Sequence, residues 1–241
     1  MNSSLNVICL PFAGGNKYSY REFRVHSPSS INLIPLEYPG RGGRIKEDLL
    51  SDTSALVDDL YKIIVTLIDN QDYAIYGHSL GGLLTYLLTK KIIEKGHRPP
   101  VHLFITGTTG PSSLSRTEKK RHLMPKREFI QELKDLQGMP DEILASDELL
   151  EYYEPILRSD FQASESYSYE YSEPLDIPIT VITGLAENMT DEDIGLWQNE
   201  TKQIVDFKCF PGNHFFIYDY TREIVQIISN KISLTTKVYQ V

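Results

Sequence analysis

An α/β fold, with helices covering a mostly parallel sheet of about six or seven strands, is predicted by three features of this chain. Short apolar or aromatic runs alternate with helical repeats over most of its length. The runs end in Gly, Pro or polar clusters, as buried parallel strands do. One of them, Tyr73–Tyr76, passes into Gly77-His78-Ser79-Leu80-Gly81 and then into leucines at helical spacing.

Six segments read as strands: Asn6–Leu10, Ile31–Glu37, Tyr73–Tyr76, His102–Thr106, Ile179–Thr183 and Val205–Phe210. Helices are expected over Ser54–Asp69, Leu80–Lys95, Asp191–Thr201 and Thr221–Ser233. The first places Leu56, Leu60, Ile63, Ile64, Leu67 and Ile68 on one face. From about residue 112 to 173 no strand pattern appears, and the repeat is helical through Phe129, Leu133, Leu136 and Ile156-Leu157. An insertion of that length, on the side where the serine would emerge, is expected to form a helical lid. With no internal repeat or linker, residues 1–241 are expected to form one domain.

Composition is that of an ordinary globular protein, 41% hydrophobic and 24% charged. A net charge of −9 argues against nucleic acid as a partner, because phosphate binding needs a basic face. No apolar run approaches the roughly 20 residues that span a bilayer. Met1-Asn2-Ser3-Ser4 lacks the basic stretch of a signal peptide, so a cytoplasmic protein is expected. Cys9 and Cys209 each fall inside an expected strand and read as buried free thiols in a reducing compartment. The one basic cluster, Lys119-Lys120-Arg121-His122, reads as a solvated loop able to greet an acidic partner. No His/Cys cluster has metal-binding spacing, and Gly14-Gly15 lacks the further glycines or Lys-Ser/Thr pair of a phosphate loop.

Strand, Gly-x-Ser-x-Gly, helix is the context of a nucleophile elbow, which points to an α/β-hydrolase fold. The turn lifts the Ser79 hydroxyl above the sheet, and its glycines are required where a Cβ would collide with the neighbouring strand or helix. A serine hydroxyl needs a base. In this fold that base is a histidine after the last strand, with an acid between the two in sequence. His214 follows a strand and a Pro-Gly turn and fits the place; His78 reads as packing beneath the elbow. Glu187 is the first carboxylate after the penultimate strand and is the expected acid. Asp191 competes, although Thr190-Asp191-Glu192-Asp193 also looks like a capped helix start. The oxyanion hole is expected from the N–H groups of Leu80 and of Ala13, with Phe12 as the alternative to Ala13.

Further motifs extend across nearly the whole chain. They are Pro11-Phe12-Ala13-Gly14-Gly15, then Pro39-Gly40-Arg41-Gly42-Gly43-Arg44 with Glu47, and the elbow itself. Gly138-Met139-Pro140, Leu157-Arg158-Ser159-Asp160-Phe161 with Tyr167, Trp197 and Gly212-Asn213-His214-Phe215 complete the set. In this set the chain resembles the type II thioesterases that accompany nonribosomal peptide and polyketide synthases. It departs at the acid, where that family usually has Asp in a Gly-x-x-Asp loop and this chain has Gly184-Leu185-Ala186-Glu187. The resemblance implies hydrolysis of acyl or aminoacyl groups from the phosphopantetheine arm of peptidyl or acyl carrier domains. It implies no cofactor of the enzyme's own, a role in antibiotic biosynthesis, and a monomer. A general carboxylesterase or lipase-like hydrolase, and a non-catalytic carrier-binding pseudohydrolase, are the alternative readings.

Overall fold

The strand-forming runs pair side by side in a computed structural model that describes residues 4–68, 71–139 and 141–238. In chain order the first elements are β1 (Leu5–Leu10), α1 (Arg21–His26), β2 (Ile31–Pro35) and α2 (Thr53–Ile64). β3 (Tyr73–His78), α3 (Leu80–Glu94) and β4 (Leu103–Thr106) follow. After β4 the chain leaves the sheet through short 3₁₀ turns, α4 (Lys126–Leu136), α5 (Asp141–Leu144) and α6 (Asp147–Glu165). It returns at β5 (Ile179–Gly184), then α7 (Asp191–Gly195), β6 (Asp206–Phe210), α8 (Phe216–Asp219) and α9 (Thr221–Val238).

All six strands are parallel, in the order β2-β1-β3-β4-β5-β6. Their period of two divides the apolar side chains between two cores. Ile8, Leu10, Ile75, Ile105 and Val181 pack with Leu56, Leu60 and Ile64 of α2 and with Leu84 and Leu88 of α3. Val7, Cys9, Ala74, Tyr76, Phe104 and Ile182 face Phe23 of α1 and Ile224, Val225 and Ile228 of α9. The excursion between β4 and β5 builds a third core from Phe129, Leu133, Leu144, Leu150 and Leu157. α6 carries the burial of that core to the edge of the sheet's carboxyl end, where Leu157 lies against Gly14.

The strand order reverses between β1 and β3, whose register pairs Leu10 with Gly77. At such a switch point the loops leaving the two strands diverge and open a crevice at the carboxyl end of the sheet. The loop after β1 holds Pro11–Gly15 and the turn after β3 holds Ser79, so topology alone makes these segments neighbours.

Several expected boundaries move. β2 stops at Pro35, and β3 runs on to His78. The helix expected over Asp191–Thr201 divides into α7 and a 3₁₀ turn, Leu196–Glu200, where buried Trp197 donates from Nε1 to Thr108 O at 3.0 Å. Cys9 is buried, but Cys209 is exposed, because β6 is the edge strand and Cys209 shares its exposed face with Phe207. The end of the first expected helix at Asp69, Pro140 of the Gly138-Met139-Pro140 motif and Met1-Asn2-Ser3 lie outside the described residues. Among the described residues no helix is long and apolar enough to cross a membrane.

Candidate active site

β3 ends at His78 and α3 begins at Leu80, so Ser79 alone makes the turn, at φ +55°. A side chain at positive φ costs about 1–3 kcal/mol and persists only where its surroundings over-determine it. The surroundings here are tight. A Cβ on Gly77 would lie 2.1 Å from Gly81 O, and one on Gly81 would lie 2.1 Å from Leu10 O. The Ser79 N–H donates to Thr106 O at 2.8 Å, and the Ser79 carbonyl accepts the Gly82 N–H at 2.9 Å.

His214 sits in the loop between β6 and α8, after Gly212 has turned the chain at φ +114°. Its Nδ1 lies 2.6 Å from Glu187 Oε1, with the Glu187 side chain 3% and the His214 side chain 22% exposed. A carboxylate can only accept, so Nδ1 carries the proton and Nε2 is left as an acceptor. The other Glu187 oxygen, Oε2, accepts the Gly184 N–H at 2.7 Å. The side chain therefore folds back over its own loop, which takes up the methylene that Glu has and Asp lacks. The two loops are also tied by Leu185 N–H to Phe210 O and Ala186 N–H to Gly212 O, both 2.8 Å.

Asp191 lies elsewhere. It is exposed at the start of α7, where the Thr190 hydroxyl caps the helix by accepting the Asp193 N–H at 3.1 Å. Of the two candidate acids, Glu187 is the one hydrogen-bonded to His214. Leu80 opens α3, so its N–H is among those that a helix start leaves without an intrahelical partner. Ala13 lies in the turn after β1, while the Phe12 ring packs edge-on against Phe215, 5.0 Å between centroids.

Beneath the histidine is a second imidazole. His78 is fully buried, its ring 4.8 Å from that of His214 and its Nδ1 3.0 Å from Thr106 Oγ1. Burial, helped by the neighbouring His214, holds the His78 pKa well below the ordinary histidine range. His78 is therefore a neutral ring packed beneath His214.

Two cavities meet at the serine, and Ala13, Ser79, Phe161 and His214 line both. One, of about 180 Å³, is walled mainly by apolar groups including Leu133, Met139, Ile143, Tyr153 and Leu157. The other, of about 430 Å³, has a mixed wall and is the more polar of the two, with Thr108, Arg116, Asn188 and Asn213 among its lining. Helices α4 and α6 contribute to both walls. The basic cluster, whose Lys119 and Lys120 are exposed, makes its ion pairs within the chain. Lys119 and Arg121 pair with Glu132, and Arg121 and His122 pair with buried Glu165.

One feature has no local sequence signal. Arg41 and Asp160 form a buried, two-point ion pair across 119 residues, and the same carboxylate accepts the Gly14 N–H. Their motifs are visible in the sequence, but nothing in either one names the other as its partner.

A parallel sheet with a strained serine on its strand-to-helix turn, and a carboxylate-bound histidine on a late loop, defines an α/β hydrolase. The thioesterase-domain family model matches residues 6–232, and the chain belongs to the thioesterase family. The gramicidin S biosynthesis protein GrsT of Aneurinibacillus migulanus is 33% identical over 233 residues, covering 96% of this chain and 90% of that protein. Thioesterase PikA5 of Streptomyces venezuelae is 28% identical, covering 97% and 83%. Among solved structures, ClbQ from the colibactin NRPS/PKS pathway superposes with a TM-score of 0.92 at 31% identity, covering 98% of this chain and 100% of that one. The type II thioesterase BorB from the borrelidin biosynthetic cluster gives 0.87 at 27% identity, covering 96% and 94%.

Proposed function

We propose that this thioesterase is a type II editing enzyme that clears acyl and aminoacyl groups from the phosphopantetheine arms of carrier domains in nonribosomal peptide or polyketide synthesis. The observation that carries the reading is the junction of two unlike cavities at Ser79, beside His214 and its hydrogen-bonded Glu187. The apolar cavity suits the acyl group, and the polar one suits the amide-bearing arm. Type II thioesterases among the similar proteins support the assignment.

In this mechanism His214 Nε2 takes the Ser79 proton as the hydroxyl attacks the thioester carbonyl. Glu187 holds the imidazole in the required tautomer and stabilises it once it is charged. The N–H groups of Leu80 and Ala13 receive the developing oxyanion. Collapse expels the carrier thiol, which takes the proton from His214 and leaves an acyl-enzyme. His214 then deprotonates a water that attacks the ester, and on collapse it returns that proton to Ser79 Oγ as the free acid departs. The helices of residues 112–173 act as the lid, and the chain works as a single-domain cytoplasmic monomer, a compartment in which the Cys9 thiol stays reduced.

Intact-mass spectrometry of an acyl-loaded carrier protein tests the proposal. Loss of the acyl mass with enzyme, and little turnover of soluble oxyesters, is the expected result; the reverse preference would mark a general carboxylesterase. Ser79→Ala is expected to lower carrier deacylation by at least about 10³-fold, and survival of turnover would remove the serine mechanism.

A further inference from the structure

Two side chains in the sequence motifs take no part in the chemistry above: Arg41 in Pro39-Gly40-Arg41-Gly42 and Asp160 in Leu157-Arg158-Ser159-Asp160-Phe161. The fold joins them. Arg41 donates from Nη1 to Asp160 Oδ2 at 2.5 Å and from Nη2 to Asp160 Oδ1 at 2.7 Å, with the two side chains 3% and 0% exposed. The Gly14 N–H donates to the same Oδ2 at 2.7 Å, and Arg41 Nη1 reaches Gly15 O at 3.3 Å. On the other side of the loop, the Tyr38 hydroxyl donates to Pro11 O at 2.7 Å, and the Arg41 guanidinium stands 5.2 Å from the Tyr38 ring centre.

Both ends of Pro11–Gly15 are thus held by side chains from distant segments, and Ala13 lies between them. A buried ion pair is costly to desolvate and is often no more stable than an apolar pair of the same volume. An apolar pair, however, has no acceptor for the Gly14 N–H. The carboxylate fixes the Ala13–Gly14 peptide plane, and the planar guanidinium fork fixes the carboxylate. Gly14 lies at φ +77°, and a Cβ there would come within 2.5 Å of Leu157 Cδ2, so the loop is pressed onto α6 as well as bonded to it.

We infer that Asp160, gripped by Arg41, is a positioning residue for the oxyanion hole: it holds the loop so that the Ala13 N–H points at the oxygen of the tetrahedral intermediate. The inference rests on the thioesterase reading above. Its consequence is that the wall of the substrate cavity and one oxyanion donor move as a unit, because Asp160 and Leu157 lie on the same helix.

The test uses the full chain with Asp160→Asn, and with the double variant Arg41→Met/Asp160→Leu. In Asp160→Asn an amide NH₂ opposes the guanidinium donors, so the grip on the loop loosens. Hydrolysis of an acetyl-loaded carrier protein is expected to lose about 10- to 100-fold in kcat, with KM changed less than about twofold. The double variant is expected to melt close to the wild type yet stay slow by about 100-fold, because Gly14 still lacks its acceptor. A double variant that regains both melting temperature and turnover, or a loss confined to KM, overturns the inference. A fluorophosphonate supplies a readout independent of thioesters, since phosphonylation of Ser79 also sends an oxygen into the oxyanion hole. Slow labelling of Asp160→Asn supports the positioning role even if the wild type fails to deacylate the carrier, and labelling at the wild-type rate overturns it even if the double variant does not fold.

Discussion

At the scale of single residues, chemistry depends on how each side chain is restrained. Ser79 is held at positive φ by glycines that admit no Cβ, and His214 by a carboxylate that is itself pinned by the Gly184 N–H. The choice of acid can be measured. Glu187→Ala is expected to lower kcat by about 10³- to 10⁴-fold by freeing the His214 tautomer. Asp191→Ala removes only an exposed carboxylate at the start of α7, and kcat is expected to stay within about twofold, with at most about 0.5 kcal/mol lost from the helix dipole. Steady-state rates on one thioester decide between them, and comparable losses would move the role away from Glu187. Ser79 and His214 were legible because each stands in a local pattern, an elbow and a Pro-Gly turn after the last strand. Glu187 was legible only by chain order against Asp191. The Arg41–Asp160 pair was not legible, since its meaning lies in a contact across 119 residues.

Elements set those restraints through packing. The elbow exists because α3 approaches both β3 and β1 so closely that a Cβ on Gly77 would strike the Gly81 carbonyl and one on Gly81 the Leu10 carbonyl. Backbone cannot swing aside as a side-chain end does, so Gly81→Ala is expected to destabilise by about 3 kcal/mol or more. Gly195, at the end of α7, has nothing within 4 Å of an added Cβ. Gly195→Ala is therefore expected to leave stability unchanged or raise it by about 0.5 kcal/mol. Urea midpoints of the two variants give the comparison, and equal midpoints would contradict the packing account. Element boundaries moved where tertiary contacts outweighed local preference. The expected helix after Asp191 tightened into a 3₁₀ turn where Trp197 is drawn into the core beside Thr108.

For the whole molecule, the consequence of a double-sided core is that some titratable groups must stay neutral. His102 stacks on Phe104, with Nε2 2.9 Å from Thr180 Oγ1, and burial followed by the charge of Lys231 pushes its pKa down from 6.5 to about 4. A histidine held down in this way binds fewer protons folded than unfolded. Its contribution is therefore present above pH 6.5 and lost as pH falls toward 4, by up to about 1.4 kcal/mol per pH unit. Buried His78 acts in the same direction. Unfolding free energies at pH 7 and pH 5 are expected to show a smaller acid loss for His102→Gln than for the wild type, and parallel losses would mean that His102 is not held neutral. The sequence by itself determined the parallel α/β class, the elbow serine, the late histidine and the helical excursion, because each is written in short-range periodicity or in chain order. Only the tertiary structure decided that Cys209 faces out, that Arg121 of the basic cluster pairs with Glu132 and Glu165, and that Asp160 reaches the loop after β1. Those outcomes depend on which surfaces meet when the sheet closes and the excursion folds back over it, and a contact between distant segments leaves no period in either one.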